Sequence, residues 1–248
     1  MPAPPVDESA LAALEIALGH RFAERAGLVS ALTHRSFAND FVGPDGTPIE
    51  DYQRLEFLGD AVVGCIMADL LYRKDPHARE GVLTLRRAAL VREARLAAAA
   101  RELGVPTVVR VGNGDEARAF PERDSVLADV FEALVAAIWL DAGADGRMRV
   151  EALVARLFAD NLGSDQGAMT LKPAKSRLQE LAQERWKITP RYRVLDANEY
   201  TPDPQAPTTV ELAIGDVLTV RASGQSRRDA EIRAAELAIE HIHGDSAP

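Results

Sequence analysis

The chain has 248 residues, 47% of them hydrophobic, and a formal net charge of −9, so it can bury the core of one large or two modest domains. Its single cysteine, Cys65, excludes an internal disulfide and a cysteine-built zinc cluster, and the absence of any run of about eighteen apolar residues excludes a membrane-spanning helix. The acidic sum also excludes a uniformly basic, phosphate-binding surface. Met1 to Glu8 is Pro-rich and acidic, without a basic region leading into an apolar one, so a soluble, cytoplasmic protein with no membrane partner is expected. Cys65, small and apolar within a helical run, reads as a core filler.

From Ser9 to about Leu162 the pattern is helical almost throughout. Ser9 is placed to cap a first helix reaching Leu18, and Phe22 to Phe37 reads as a second helix or helix pair. Asn39 to Pro48 is a loop whose turn signal is Gly43-Pro44-Asp45-Gly46. A long helix follows from about Ile49 to Tyr72, then a basic amphipathic segment from Leu83 to Arg95 and an Ala-rich helix to Leu103. Gly104-Val105-Pro106 breaks that helix, and Val111 to Asp124 reads as an irregular loop. Its Gly112-Asn113-Gly114 lacks the Gly-Lys-Ser/Thr ending of a nucleotide-binding loop. The most hydrophobic helix runs from Ser125 to Asp141, with Ser125 or Asp124 as its expected cap.

Gly163 to Thr170 has linker composition, and the periodicity changes after it. Ala174 to Trp186 is helical, Tyr192 to Asp196, Thr208 to Ile214 and Val217 to Ala222 read as strands, and Arg227 to His241 is helical again. That order describes a small α+β domain with a three-stranded antiparallel sheet. From Leu171 to Asp245 there are 11 Lys and Arg against 12 Asp and Glu, leaving 18 against 26 elsewhere. The acidity therefore belongs mainly to the N-terminal part.

Two acid pairs stand out. Glu56 and Asp60 lie four residues apart, and Asp129 and Glu132 three apart, each pair on one face of an otherwise apolar helix. Together they could surround one point with four hard oxygen donors, which favours Mg²⁺ or Mn²⁺ over zinc and suits phosphodiester hydrolysis. Solvated acids on amphipathic helices explain the same spacing equally well.

QRLEFLGDAVVG, from Gln53 to Gly64, resembles the signature of ribonuclease III. ALTHRSFAN from Ala31, EGVLTLRRAALV from Glu80 and SVLADVFEALVAAIWLD from Ser125 are similar to three further blocks of that family, in the same order. The resemblance implies an all-α endonuclease domain (residues 1–162), a linker (163–170) and an α-β-β-β-α double-stranded RNA-binding domain (171–245). It implies Glu56, Asp60, Asp129 and Glu132 as metal-binding carboxylates, with Asp60 and Glu132 catalytically least replaceable, and Mg²⁺ as cofactor with Mn²⁺ as a substitute. It implies a homodimer with two sites that cuts both strands of a duplex, leaving 5′-phosphate and 3′-hydroxyl ends with a short 3′ overhang. Ribosomal and other RNA processing is the expected role. A catalytically silent, ribosome-associated RNA-binding protein on the same scaffold is the alternative, which loss of the carboxylates would mark.

In the last domain, KSRLQE from Lys175 and SGQSRRDA from Ser223 resemble the first and last helices of a double-stranded RNA-binding domain. Arg227 and Arg228 open a helix, where charge and backbone N–H groups can both meet phosphates. Lys175, Gln179, Glu180 and Gln183 belong to the other helix, whose polar side chains suit the 2′-hydroxyls of a wide A-form minor groove. Three positions depart from the family. Gln53 stands where glutamate is usual, and a second-layer hydrogen bond is expected of it. Ala119-Phe120-Pro121-Glu122 replaces a Gly-Gly-Arg stretch, and Glu199 to Pro207 lacks a Gly-Pro-x-His element. His34 is expected to be a buried, hydrogen-bonded structural residue rather than a catalytic base.

Overall fold

The computed structural model describes residues 1–114, 122–162, 173–195 and 207–244, with 243 and 244 described by their backbone alone. The chain divides into two compact units between Ala168 and Met169, each with its own core. The first unit contains α1 (Glu8–Leu18), α2 (Arg25–Ala31), α3 (Arg35–Asp40), α4 (Gln53–Lys74), α5 (Glu80–Leu90), α6 (Glu93–Glu102), α7 (Asp124–Asp141) and α8 (Gly146–Leu157).

Helix α7 is the axis of this unit. Every residue from Val126 to Ile138 is buried except Asp129 and Glu132. A helix apolar around its whole circumference must be covered on all sides, and α7 is packed by α2, α4, α6 and α8. Leu127, Val130, Phe131, Leu134 and Ile138 are fully buried, each contributing roughly 1.5–3 kcal/mol. That apolar burial holds the helix in place while it carries two carboxylates at its edge.

Helix α4 is apolar on two sides. Val62, Val63, Ile66, Met67 and Leu71 face the core, whereas Phe57, Ala61, Cys65 and Tyr72 lie on the opposite, exposed side, with Phe57 83% exposed. Cys65 is therefore not a core filler. With both sides of the helix apolar, residue type alone does not tell which one is inward.

Local starts also differ from expectation. The carboxylate of Asp7, not Ser9, caps α1, accepting the N–H groups of Ser9 and Ala10 at 2.9 and 3.1 Å, because the helix already begins at Glu8. Helix α7 begins at Asp124 with Arg123 in the cap position and no side-chain cap; Asp124 instead pairs with Arg101 at 2.7 Å. Helix α4 starts at Gln53 rather than Ile49, since Asp51 accepts the Gln53 N–H at 3.0 Å and the Ser30 hydroxyl donates to the Asp51 carbonyl at 3.2 Å. The 22–37 segment is a helix pair, interrupted where Thr33 bridges to Arg110. The basic 83–95 segment breaks between α5 and α6.

The second unit runs α9 (Ala174–Trp186), β1 (Arg191–Val194), β2 (Thr208–Ile214), β3 (Leu218–Gly224) and α10 (Arg227–Gly244). The strands form an antiparallel sheet in the order β1-β2-β3. Leu212, Ile214 and Val220 face a core shared with Leu178 and Ala182 of α9 and Ala234, Ala235 and Ala238 of α10. The other face carries Arg193, Glu211 and Arg221 in register, with Glu211 paired to both arginines at 2.6 and 2.8 Å. Positions 119–121 and 199–206, where two family elements are missing, lie outside the described residues.

Candidate active site

Gly59 brings the two acid pairs together. A Cβ at this position would overlap the backbone carbonyl of Glu132, so the α4 backbone rests directly on α7 at their crossing. Only glycine allows an approach this close. Glu56 lies one turn before the crossing and Asp60 immediately after it, while Asp129 and Glu132 occupy the facing edge of α7. Gln53, Glu56, Asp60, Val63 and Met67 follow helical spacing along one face, and its lower part is buried.

The electrostatics bind the four into one group. Burial pushes the Glu132 carboxyl up to about 7, helped by the charges of Asp60, Asp129 and Glu56. Burial likewise raises Glu56, with Asp129, Asp51 and Asp60 adding repulsion. Asp129 is raised mainly by burial and further by Glu93, against a hydrogen bond from Tyr52. Among the described residues none of the four pairs with a lysine or arginine. Nor, among those residues, is any trio of His, Cys, Asp or Glu already gathered as closely as an ion would hold it. Like charges repel, and that repulsion favours rotamers that spread such a set.

Residue spacing does not single out the supporting shell. The Tyr52 hydroxyl donates to Oδ2 of Asp129 at 3.4 Å, and its own N–H donates to the Thr33 carbonyl at 2.9 Å. Burial and the neighbouring Asp129 raise the phenol well above its ordinary value. Asp51 and Glu93 add two nearby charges. Gln53 is exposed, with its N–H held by Asp51. His34 is hydrogen-bonded as expected but half-buried rather than buried: it accepts the Ser36 N–H at 3.1 Å and contacts the Ser36 hydroxyl at 2.8 Å, and burial lowers its pKa. The sequence signal for the crossing is the glycine itself, inside a helical run where glycine has a conformational cost, although Gly64 in the same helix has open space beside it.

In the second unit, Gln179, Glu180 and Gln183 are exposed on α9, and Arg227 and Arg228 are exposed at the start of α10. The Asp229 N–H donates to the Ser226 hydroxyl at 3.2 Å, and the Asp229 carboxylate accepts the Gln225 N–H at 3.0 Å, a reciprocal arrangement that fixes the helix start. Gly224 sits so close to Asp229 and Ala230 that a Cβ would collide with both. Lys175 is turned inward: its Nζ lies 2.6 Å from Glu231 and 4.7 Å from the centre of the Tyr192 ring.

Residues 26–159 match the family model described as ribonuclease-III-like, and residues 174–242 match the double-stranded RNA binding motif. The chain is 40% identical over 234 residues to ribonuclease 3 of Oleidesulfovibrio alaskensis, covering 94% of this chain and 98% of that one. The chain belongs to the ribonuclease III family. A second relative, ribonuclease 3 of Myxococcus xanthus, is 37% identical over 94% of this chain and 87% of its own length. Among solved structures, the nuclease domain of ribonuclease III from Campylobacter jejuni aligns with a TM-score of 0.53 at 33% identity, over 60% of this chain and 96% of that domain. That structure concerns flexibility in the region involved in dimer formation of the Campylobacter protein. The protein is thus a double-strand-directed endoribonuclease of a metal-dependent family, carrying a double-stranded RNA-binding domain. No helix of the described residues is long and apolar enough to cross a membrane.

Proposed function

We propose that this endoribonuclease uses Mg²⁺, with Mn²⁺ as a substitute, held by Glu56, Asp60, Asp129 and Glu132, and that Asp60 and Glu132 are the least replaceable. The observation that carries the reading is the α4–α7 crossing at Gly59, which sets four carboxylates in one electrostatic environment with no basic side chain among the described residues to balance them. All-oxygen donors suit a hard divalent ion. When bound, such an ion supplies a water of lowered pKa and positive charge beside the departing oxygen.

The chain's own groups do the rest. Glu132 holds a proton near neutral pH at a carboxyl oxygen and gives it up when the surrounding negative charge is offset. Tyr52 steadies Asp129 through its hydroxyl. The buried apolar residues of α7 fix the backbone that carries both acids, so side-chain rotation alone brings their carboxylates onto an ion. Hydrolysis leaves 5′-phosphate and 3′-hydroxyl ends.

The exposed Phe57, Ala61, Cys65 and Tyr72 side of α4 supports a homodimer through the nuclease domain, since an apolar side of this size is covered in most proteins. Two such sites cut opposite strands and leave a short 3′ overhang. Domain limits of 1–162 and 171–245, with a linker at 163–170, fit this division, as do roles in ribosomal and other RNA processing in the cytoplasm. Gln179, Glu180, Gln183, Arg227 and Arg228 form the RNA-facing set, recognising duplex shape, with Lys175 behind them on Glu231. A catalytically silent scaffold is disfavoured because all four carboxylates are present. Incubating the protein and its Glu132→Gln variant with a long RNA duplex and Mg²⁺, beside a single-stranded control, tests the reading. Cleavage of the duplex by the parent alone is expected, and a variant that cuts at the parent's rate overturns it.

A further inference from the structure

Glu231 is one of few charged residues buried in the described part of the chain, 8% exposed. Its two oxygens have different partners. Oε2 takes Lys175 Nζ at 2.6 Å and Oε1 takes Arg227 Nε at 2.9 Å. Lys175 is the second residue of α9 and Arg227 the first of α10, so one carboxylate ties together the N-termini of both helices. Lys175 also lies over the Tyr192 ring of β1, which fixes the pair against the sheet. Arg228, by contrast, is exposed and has no ion-pair partner among the described residues.

We infer that Glu231 is a positioning residue for duplex binding: by sharing its oxygens between Lys175 and Arg227 it sets the spacing of the two helix starts that face the RNA. This rests on the reading that the starts of α9 and α10 meet the duplex. An A-form groove presents phosphates and 2′-hydroxyls at fixed separation, so two binding helices gain by being held in register before contact. Lys175 then acts mainly as a brace and Arg228 as the freer phosphate contact. Arg227 does both, being 68% exposed while bonded through Nε only.

Charge alone predicts the opposite effect. An acid beside a phosphate-binding surface weakens binding by repulsion, so removing it should tighten the complex. Positioning requires that removing it loosen the complex. Duplex affinity of the full chain is measured in EDTA, where cleavage is silent, for the parent, Glu231→Gln, Glu231→Asp and Arg228→Ala, well below each melting midpoint. Glu231→Asp keeps the charge and shortens the reach, so it remains informative if Glu231→Gln does not fold. Both Glu231 variants are expected to bind roughly tenfold more weakly, the size of one lost charge-assisted contact. Binding by either variant as tight as the parent or tighter overturns the inference. Arg228→Ala is expected to bind more weakly; if it does not, the RNA-facing surface itself is misassigned, and the inference falls with it.

Discussion

Gly59 rests against the backbone carbonyl of Glu132, which makes the distance between two helices, and hence between two acid pairs, depend on one missing methyl group. Gly59→Ala must push α4 from α7. Overpacking of this kind costs about 1–3 kcal/mol, so urea denaturation should show a lower midpoint with an unchanged slope. Cleavage should fall more steeply than stability at a temperature where the variant is still folded. Full activity would mean the crossing does not set the site.

Glu132 couples stability to pH. Its carboxyl sits at about 7 in the folded chain against an ordinary 4.5. The folded state thus binds this proton more tightly than the unfolded one, and the stability it contributes is complete below about pH 4.5 and is lost as pH rises through about 7. Glu132→Gln removes that loss. In EDTA the variant should be more stable than the parent at pH 8 by about 1–2 kcal/mol. That range takes ~1.4 kcal/mol for each pH unit between the unfolded and folded values and reduces the product for partial exposure to solvent. At pH 4 the two should coincide in denaturation midpoint.

Metal binding should reverse the same repulsion. Adding Mg²⁺ to the metal-free parent should raise its melting temperature in proportion to the logarithm of concentration once the site is saturated, and should do so little for Glu132→Gln. Gln53→Glu adds a third acid to the α4 face of Glu56 and Asp60, beside the two on α7. It should move the Mg²⁺ dependence of cleavage to lower concentration, measured as the half-activating concentration. An unaltered curve would place Gln53 outside the metal's reach.

The helix start proposed to face RNA can be read through salt. Replacing Arg227 and Arg228 by Ala should weaken duplex binding and reduce the slope of log affinity against log salt by about 1–2, as fewer counterions are released. An unchanged slope would assign the grip to the nuclease domain.

Phe57→Asp places a charge on the exposed side of α4 without touching the core. Sedimentation velocity should show the parent as a dimer and the variant as a monomer, with melting of each remaining cooperative.

The two acid pairs of the candidate site are legible in the sequence because helical spacing is strict: Glu56 with Asp60, and Asp129 with Glu132, share faces without any knowledge of the fold. The order of helices and strands in the second unit is equally plain, since its alternating strands bury one face. What spacing does not reveal is tertiary. Tyr52 reaches Asp129 across 77 positions, Glu231 reaches Lys175 across 56, and neither pair has a local signature. Cys65 reads as inward from sequence because α4 is apolar on both sides, and Asp7 takes the cap expected of Ser9 because Asp and Ser are both good cap residues and sequence does not show that the helix already begins at Glu8.

The two-sided character of α4 also predicts how it tolerates change. One flank is packed in the core, the opposite flank exposes Phe57 and Tyr72, and the seam between them carries Gln53, Glu56 and Asp60. Most surface helices accept substitution with a period of about 3.6 residues, because one side is free. Along α4 that rhythm should be nearly erased: a scan of single replacements, scored for cleavage in cells, should find sensitive positions around the whole circumference, with the permissive ones confined to the charged last turn at Arg73 and Lys74.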